Sequence, residues 1–204
     1  MFLYRRNNFL SPELCQRFID EFEKSPDKSP GVSNTAGEIG SSGAKKSTDL
    51  TFNPSMKESK VWGTLLDELV PKLYNEAFHY ANRFFTAFEN LDPYQLSPLF
   101  NLQRYEPGEG FYQYHCERAG LAHSERLMVW MVYLNTVDDG GHTEFYFQNH
   151  FEEPVQGKLV IWPSDWTHLH RGVVSETETK YILTGWFDHI PVEDVKTEST
   201  KKES

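Results

Sequence analysis

Cysteine is nearly missing from this chain: among 204 residues only Cys15 and Cys116 carry a thiol. Two such widely separated cysteines exclude a disulfide framework and a thiolate zinc cage, and leave two free thiols as the expectation. Long apolar runs are missing as well. No uninterrupted stretch approaches the roughly 20 residues of a membrane-spanning helix, so no membrane partner is expected. Positive charge is scarce: 20 Lys and Arg stand against 30 Asp and Glu, a formal charge of -10. That is the wrong sign for a protein whose affinity comes from neutralising phosphates, and nucleic acid is excluded as a principal ligand. The opening MFLYRRNNFLSPELC has neither the apolar core nor the small-residue cleavage site of a secretory signal, which predicts a cytoplasmic protein.

The length fits one domain over 1–190, with helical support over 10–90, a β core over 94–190 and a flexible tail over 191–204. Ser11-Pro12-Glu13 reads as an N-cap followed by proline at the first helical position. Leu14, Phe18, Ile19 and Phe22 then recur at helical spacing, which predicts about three turns of helix. Residues 25–49 are rich in Ser, Gly and Pro and form a long loop, a candidate lid. From Met56 to Phe88 a helical stripe that includes Leu65, Leu69, Leu73, Ala77 and Tyr80 is interrupted at Pro71, giving two consecutive helices or one kinked helix. After Pro98 the chain changes to short aromatic and β-branched segments between turn signals such as EPGEG, VDDGG and EEPVQG. The fold class is therefore α+β with a mainly β core, a sandwich or jelly roll with helices packed on the sheet. Trp130, Tyr133, Phe145, Phe147 and Trp162 alternate through the strands and are assigned to the core.

In YHCERAG, His115 and Glu117 are two residues apart, a spacing that sends both side chains to one face of a strand. Alone, His-x-Glu is a common accident. A third partner is available in WPSDWTHLHRG, where His168 and His170 share one face of an extended segment. Two histidines and one carboxylate on one side of a metal leave positions open opposite, which suits an iron(II) oxygenase. A zinc hydrolase uses a similar set, so the triad does not choose the metal. Lys180 begins the strand KYILTGWF, with Ile182, Thr184 and Trp186 on its face and Tyr181, Leu183, Gly185 and Phe187 on the other. If the first face is inward, a lone buried cation needs an anionic partner, which a dicarboxylate supplies; if the second is inward, Lys180 is simply solvated.

The blocks NLQRYEPGEGFYQYHCE, RLMVWMVYLNTVDDGGHTEF, GKLVIWPSDWTHLHRG and KYILTGWF resemble, in order, the iron(II)/2-oxoglutarate-dependent dioxygenases, specifically the small prolyl 4-hydroxylase-like enzymes of bacteria and phages. FLSPELCQRFID and KKSTDL add a weaker likeness. The resemblance implies a double-stranded β-helix of the jelly-roll or cupin-like kind. It implies that His115, Glu117 and His170 hold Fe(II), with His170 preferred to His168 because it lies ten residues before Lys180 and is followed by Arg-Gly. Lys180 would bind the distal carboxylate of 2-oxoglutarate, and Tyr105 would contact the same co-substrate. Tyr112 and Trp186 would line the cavity over the metal, Arg126 would lie near a peptide substrate, and Thr143 would be structural. Ascorbate is the implied reductant. Two departures stand out: Glu117 replaces the commoner aspartate, and Asp188 stands where many prolyl hydroxylases carry histidine. The expected activity is oxygen-dependent hydroxylation of prolyl residues in a peptide or protein, releasing succinate and carbon dioxide. The alternatives are hydroxylation of a free amino acid or other small metabolite, a non-catalytic cupin-like metal-binding module, and a zinc hydrolase for which no general base is visible.

Overall fold

Helix α1 follows β1 (Tyr4–Arg6), a short strand that the sequence pattern does not announce. The α1 helix (Pro12–Lys24) starts at its predicted cap, where the Ser11 hydroxyl accepts the Leu14 amide at 3.2 Å. Leu14, Cys15, Phe18 and Phe22 are all buried on its inner side. Two further strands, β2 (Ser29–Pro30) and β3 (Thr48–Phe52), precede α2 (Lys60–Arg83). The alternative left open at Pro71 is decided in favour of a single helix of 24 residues. Proline removes one backbone hydrogen bond there, while Leu65, Leu66, Leu69, Leu73, Ala77 and Tyr80, all buried, hold both halves to the same surface. One helical turn, α3 (Phe85–Phe88), ends the helical region. This computed structural model describes residues 1–31 and 43–191. The expected tail from 192 onward, and the part of the candidate lid at 32–42, lie outside the described residues.

The remaining strands are β4 (Tyr94–Leu96), β5 (Phe100–Tyr105), β6 (Arg126–Tyr133), β7 (Thr143–Phe145), β8 (His150–Glu152), β9 (Leu159–Pro163), β10 (His170–Gly172) and β11 (Lys180–His189). They form two antiparallel sheets. The larger runs β1-β9-β6-β11-β5-β3-β2 with β4 also paired to β11, and the smaller runs β10-β7-β8. This is the mainly β architecture with helical support that the sequence predicts.

The larger sheet is covered on both faces. Trp130, Val132, Leu159, Ile161, Leu183 and Phe187 belong to the core shared with α1 and α2. Val129, Met131, Tyr133, Val160, Trp162 and Ile182 pack instead with Phe145 of the smaller sheet. Double coverage explains why β6 and β9 read as continuous apolar runs. It also dissolves the choice posed at β11: both of its faces are inward, and Lys180 lies on the face toward the smaller sheet, where it is 4% exposed. Thr143 is structural, its hydroxyl accepting Tyr133 Oη–H at 2.8 Å inside the core. Phe147 departs from its core assignment and is 57% exposed, because it falls in the turn between β7 and β8 where strand alternation has ended.

Gly185 of β11 is closely hemmed in by side chains of the flanking strands β5 and β6. A Cβ there would lie 2.5 Å from Phe100 Cβ and 2.7 Å from Trp130 Cζ2. We expect Gly185→Ala to lower unfolding stability by about 1–3 kcal/mol in urea titration. Gly120→Ala, with nothing within 4 Å of the added carbon, serves as the unchanged control; parental stability for both would refute this account of the packing.

Candidate metal centre

Residues 108–118 do not form the regular strand expected around His115. The segment is extended but irregular, and it is held to β10 by one isolated antiparallel bridge. His115 N donates to His170 O and His170 N donates to His115 O, each at 2.9 Å. This pair of bonds sets two sequence-distant imidazoles side by side, with ring centroids 4.3 Å apart. Just beyond, the amides of Glu117 and Arg118 both donate to Ser164 O, at 3.0 and 2.9 Å, tying the carboxylate-bearing residue to the end of β9.

His168 and His170 likewise do not share an extended face. Residues Trp166–His168 form a 3-10 turn capped by Asp165, whose Oδ1 accepts the Thr167 amide. The turn buries the His168 ring away from the other two and sets its Nδ1 2.9 Å from the Thr167 hydroxyl. The backbone of His168 has a separate use, since its carbonyl accepts His170 Nδ1–H at 2.9 Å. His115 is oriented in the same way by Gln113 O at 3.0 Å. With both Nδ1 atoms committed as donors, each ring turns an unprotonated Nε2 toward Glu117. Glu117 Oε1 lies 3.4 Å from His115 Nε2 and 3.5 Å from His170 Nε2.

The three ligand atoms lie within 4.8 Å of one another. Burial raises the Glu117 carboxyl, but the close approach of His115 and His170 outweighs it and holds the group well below the ordinary carboxylate range. Burial, and then the neighbouring His170, push His115 below the usual histidine value. Two neutral imidazoles and an ionised carboxylate converging on one point are donors of the right charge and softness for iron(II), and equally for zinc. The residues therefore fit a divalent metal.

Lys180 is the second unusual group. Burial pushes its ammonium down to about 8. Its nitrogen donates to Gly141 O at 2.8 Å and stands 4.9 Å over the Tyr105 ring, its register partner across the sheet. Among the described residues no carboxylate pairs with it. Gly172, two residues past His170, lies beside the ammonium: a Cβ at that position would be in ordinary contact with Lys180 Nζ at 3.6 Å. Tyr105 is itself buried, and its hydroxyl donates to Gln103 Oε1 at 2.8 Å. Gln103 Nε2 donates in turn to Asp49, which is ion-paired with buried Lys45 at 2.6 Å. This polar chain carries the end of the candidate lid into the site: Lys45 bridges Phe111, and Tyr112 N donates to Ala44 O.

The three residues expected near substrate are placed differently from one another. Tyr112 is 36% exposed at the rim, with its hydroxyl on Gly108 O. Arg126 and Trp186 instead reach the metal carboxylate: Trp186 Nε1 donates to Glu117 Oε2 at 3.0 Å, and Arg126 Nη1 approaches the same oxygen at 3.4 Å. Sequence reading passed over Phe111, which stacks on His115 with ring centroids 3.6 Å apart and 9° between planes. A phenylalanine four residues ahead of a histidine in irregular chain carries no periodic signal that would reveal this contact. Gly141 was also passed over as a binding contact, because a backbone carbonyl has no residue signature.

Residues 100–188 match the 2OG-Fe(II) oxygenase superfamily. No curated protein matches the chain. Among solved structures, the viral collagen prolyl hydroxylase of Paramecium bursaria Chlorella virus-1, in its 2OG complex, is 20% identical over 93% of this chain and 97% of its own, with a TM-score of 0.65. A Pseudomonas putida prolyl-4-hydroxylase is 20% identical over 93% of both chains, with a TM-score of 0.64. A Trichoplax adhaerens prolyl hydroxylase, in complex with a hypoxia inducible factor oxygen degradation domain peptide, is 17% identical over 92% of this chain and 84% of its own, with a TM-score of 0.71. At these identities the likeness establishes the shared fold.

The buried ammonium generates a prediction with a definite sign. A lysine whose folded value, about 8, lies below its ordinary 10.5 penalises the ligand-free fold at neutral pH. That penalty is relieved as pH rises from about 8 toward 10.5, where the unfolded chain holds the extra proton. Lys180→Met should therefore unfold at a higher temperature than the parent at pH 7 without ligand, with the gap narrowing above pH 8. A less stable variant at pH 7 would contradict the sign.

Proposed function

We propose, from the match of residues 100–188 to the 2OG-Fe(II) oxygenase superfamily and the geometry of the site, that the protein is an oxygenase of that kind and hydroxylates prolyl residues of a peptide or protein. The observation that carries the reading is the pairing of a His/Glu/His cluster with a deeply buried lysine that lacks an acidic partner among the described residues. A structural metal site has no use for such a cation, whereas a dicarboxylate co-substrate supplies its missing counter-charge.

In this reading His115 Nε2, His170 Nε2 and Glu117 Oε1 hold the metal, and Lys180 takes the distal carboxylate of 2-oxoglutarate. Iron(II) with that co-substrate and dioxygen supplies the oxidising power that turns a C–H bond into an alcohol while succinate and carbon dioxide leave. The chain's own groups do the positioning. Gly141 O and the Tyr105 ring keep the ammonium of Lys180 aimed into the site. Phe111 covers one face of His115 and Trp162 packs edge-on against His170, apolar neighbours that exclude water from the rings. Tyr112 at the rim is available to a substrate, and a peptide is favoured because the structural likeness runs to three prolyl hydroxylases.

The test uses the full chain with iron(II), ascorbate and 2-oxoglutarate, and measures succinate release with proline-containing peptides and with free proline. We expect turnover stimulated by peptide. His170→Ala and Glu117→Ala should reduce it at least about a hundredfold, as loss of a metal ligand does. Anaerobically, the parent should develop a visible charge-transfer band on adding co-substrate, and His170→Ala should not. Retention of the band in that variant would move the ligand assignment to His168. Stimulation by free proline alone would replace the peptide substrate with a metabolite.

A further inference from the structure

The contacts of Glu117 show that its two oxygens are not equivalent. Oε1 faces the two imidazoles, while Oε2 faces away and meets two donors, Trp186 Nε1 at 3.0 Å and Arg126 Nη1 at 3.4 Å. The guanidinium of Arg126 also lies 3.6 Å over the Trp186 ring, so the two donors brace each other. Arg126 Nη1 reaches the Glu117 backbone carbonyl too, at 3.2 Å. The braces close into a ring: Ser164 O accepts the Glu117 amide, and Ser164 Oγ donates to the Arg126 carbonyl at 2.5 Å. Both donors stand on neighbouring strands of the larger sheet, β6 and β11, whose register pairs Trp186 with Val129 and Arg126 with Asp188.

We propose that Arg126 and Trp186 are positioning residues that withhold Glu117 Oε2 from the metal and so make Glu117 a one-oxygen ligand. This rests on the reading of His115, Glu117 and His170 as the metal ligands. A glutamate has one more rotatable bond than an aspartate, and left free it loses more side-chain entropy on binding an ion and can swing both oxygens onto it. The clamp removes both liberties. Two donors satisfy Oε2 in advance, and the stacked guanidinium leaves the carboxylate one orientation, which preserves the open positions a co-substrate needs. It also gives the indole N–H and the half-buried guanidinium the acceptors they require. An aspartate at position 117 would be shorter by one methylene, about 1.5 Å, and its carboxylate would not reach the clamp and the imidazoles together. The longer acid and its two holders thus form one unit.

The test reads metal affinity of the full chain without co-substrate, using Mn(II) as an air-stable probe in calorimetry. Trp186→Phe and Arg126→Gln should each weaken Mn(II) binding ten- to a hundredfold, the effect of removing a group that orients a ligand. The double variant should be little weaker than the worse single one, because both act on the same oxygen. In a Glu117→Asp background, Trp186→Phe should change affinity less than twofold, a difference that a merely structural tryptophan would not produce. Arg126→Lys, which keeps charge but loses the planar fork, carries the test if Trp186→Phe fails to fold. Parental Mn(II) affinity in both single variants, or an equal effect of Trp186→Phe in the Glu117→Asp background, overturns the clamp while leaving the metal centre in place. Absence of Mn(II) binding by the parent overturns the metal reading and the clamp with it.

Discussion

Everything at this site depends on two backbone hydrogen bonds, the reciprocal 2.9 Å pair between His115 and His170. They join an irregular segment to the smaller sheet, with Gly172 N donating to Phe111 O at 3.0 Å as a second tie, and the reciprocal pair carries both imidazoles. Main-chain bonds of this kind are set by the fold and do not compete with solvent for side-chain rotamers. The rings are then turned by carbonyls only two residues away, Gln113 O and His168 O. A short-range rule, a ring donating to its own chain, and a long-range one, a bridge between strands, together produce two Nε2 atoms aimed at one carboxylate.

The second constraint is the cost of buried charge. Glu117 and Lys180 both lie among aromatic residues, and they are treated in opposite ways. Glu117 is well supplied, with an indole and a guanidinium donating to one oxygen and two imidazoles beside the other, and stays ionised despite burial. Lys180 is undersupplied: one carbonyl and the face of Tyr105 are its partners, and its affinity for a proton drops. Among the described residues no carboxylate offsets this cost, which is what the proposed co-substrate carboxylate would do. The buried pair Lys45–Asp49 meets the same difficulty by full pairing, and passes its order through Gln103 to Tyr105, beneath the lysine.

Several expectations failed in ways that share a cause. The predicted strand at His115–Glu117 and the common face of His168 and His170 both assumed regular backbone, and both segments are irregular. In each case side-chain direction is decided by a contact distant in sequence or by a capped turn, which period-2 reasoning does not see. Phe147 was lost to a turn in the same way. Arg126 and Trp186, expected beside a substrate and in the cavity over the metal, meet Glu117 Oε2, because the length of Glu117 brings its second oxygen within their reach.

The chain by itself determined its fold class, the position of α1 down to its cap, the continuous apolar strands of a sheet covered on both sides, and the four polar residues worth examining. Those features are written in local pattern: capping chemistry, helical spacing, and polar groups set in apolar surroundings. The tertiary structure alone decided that His168 lends its carbonyl to orient His170, that both faces of β11 are buried, and that Glu117 presents one oxygen with the other held. These are outcomes of strand register and of a bridge between segments far apart in sequence, and no local pattern of residues encodes a distance across a sheet.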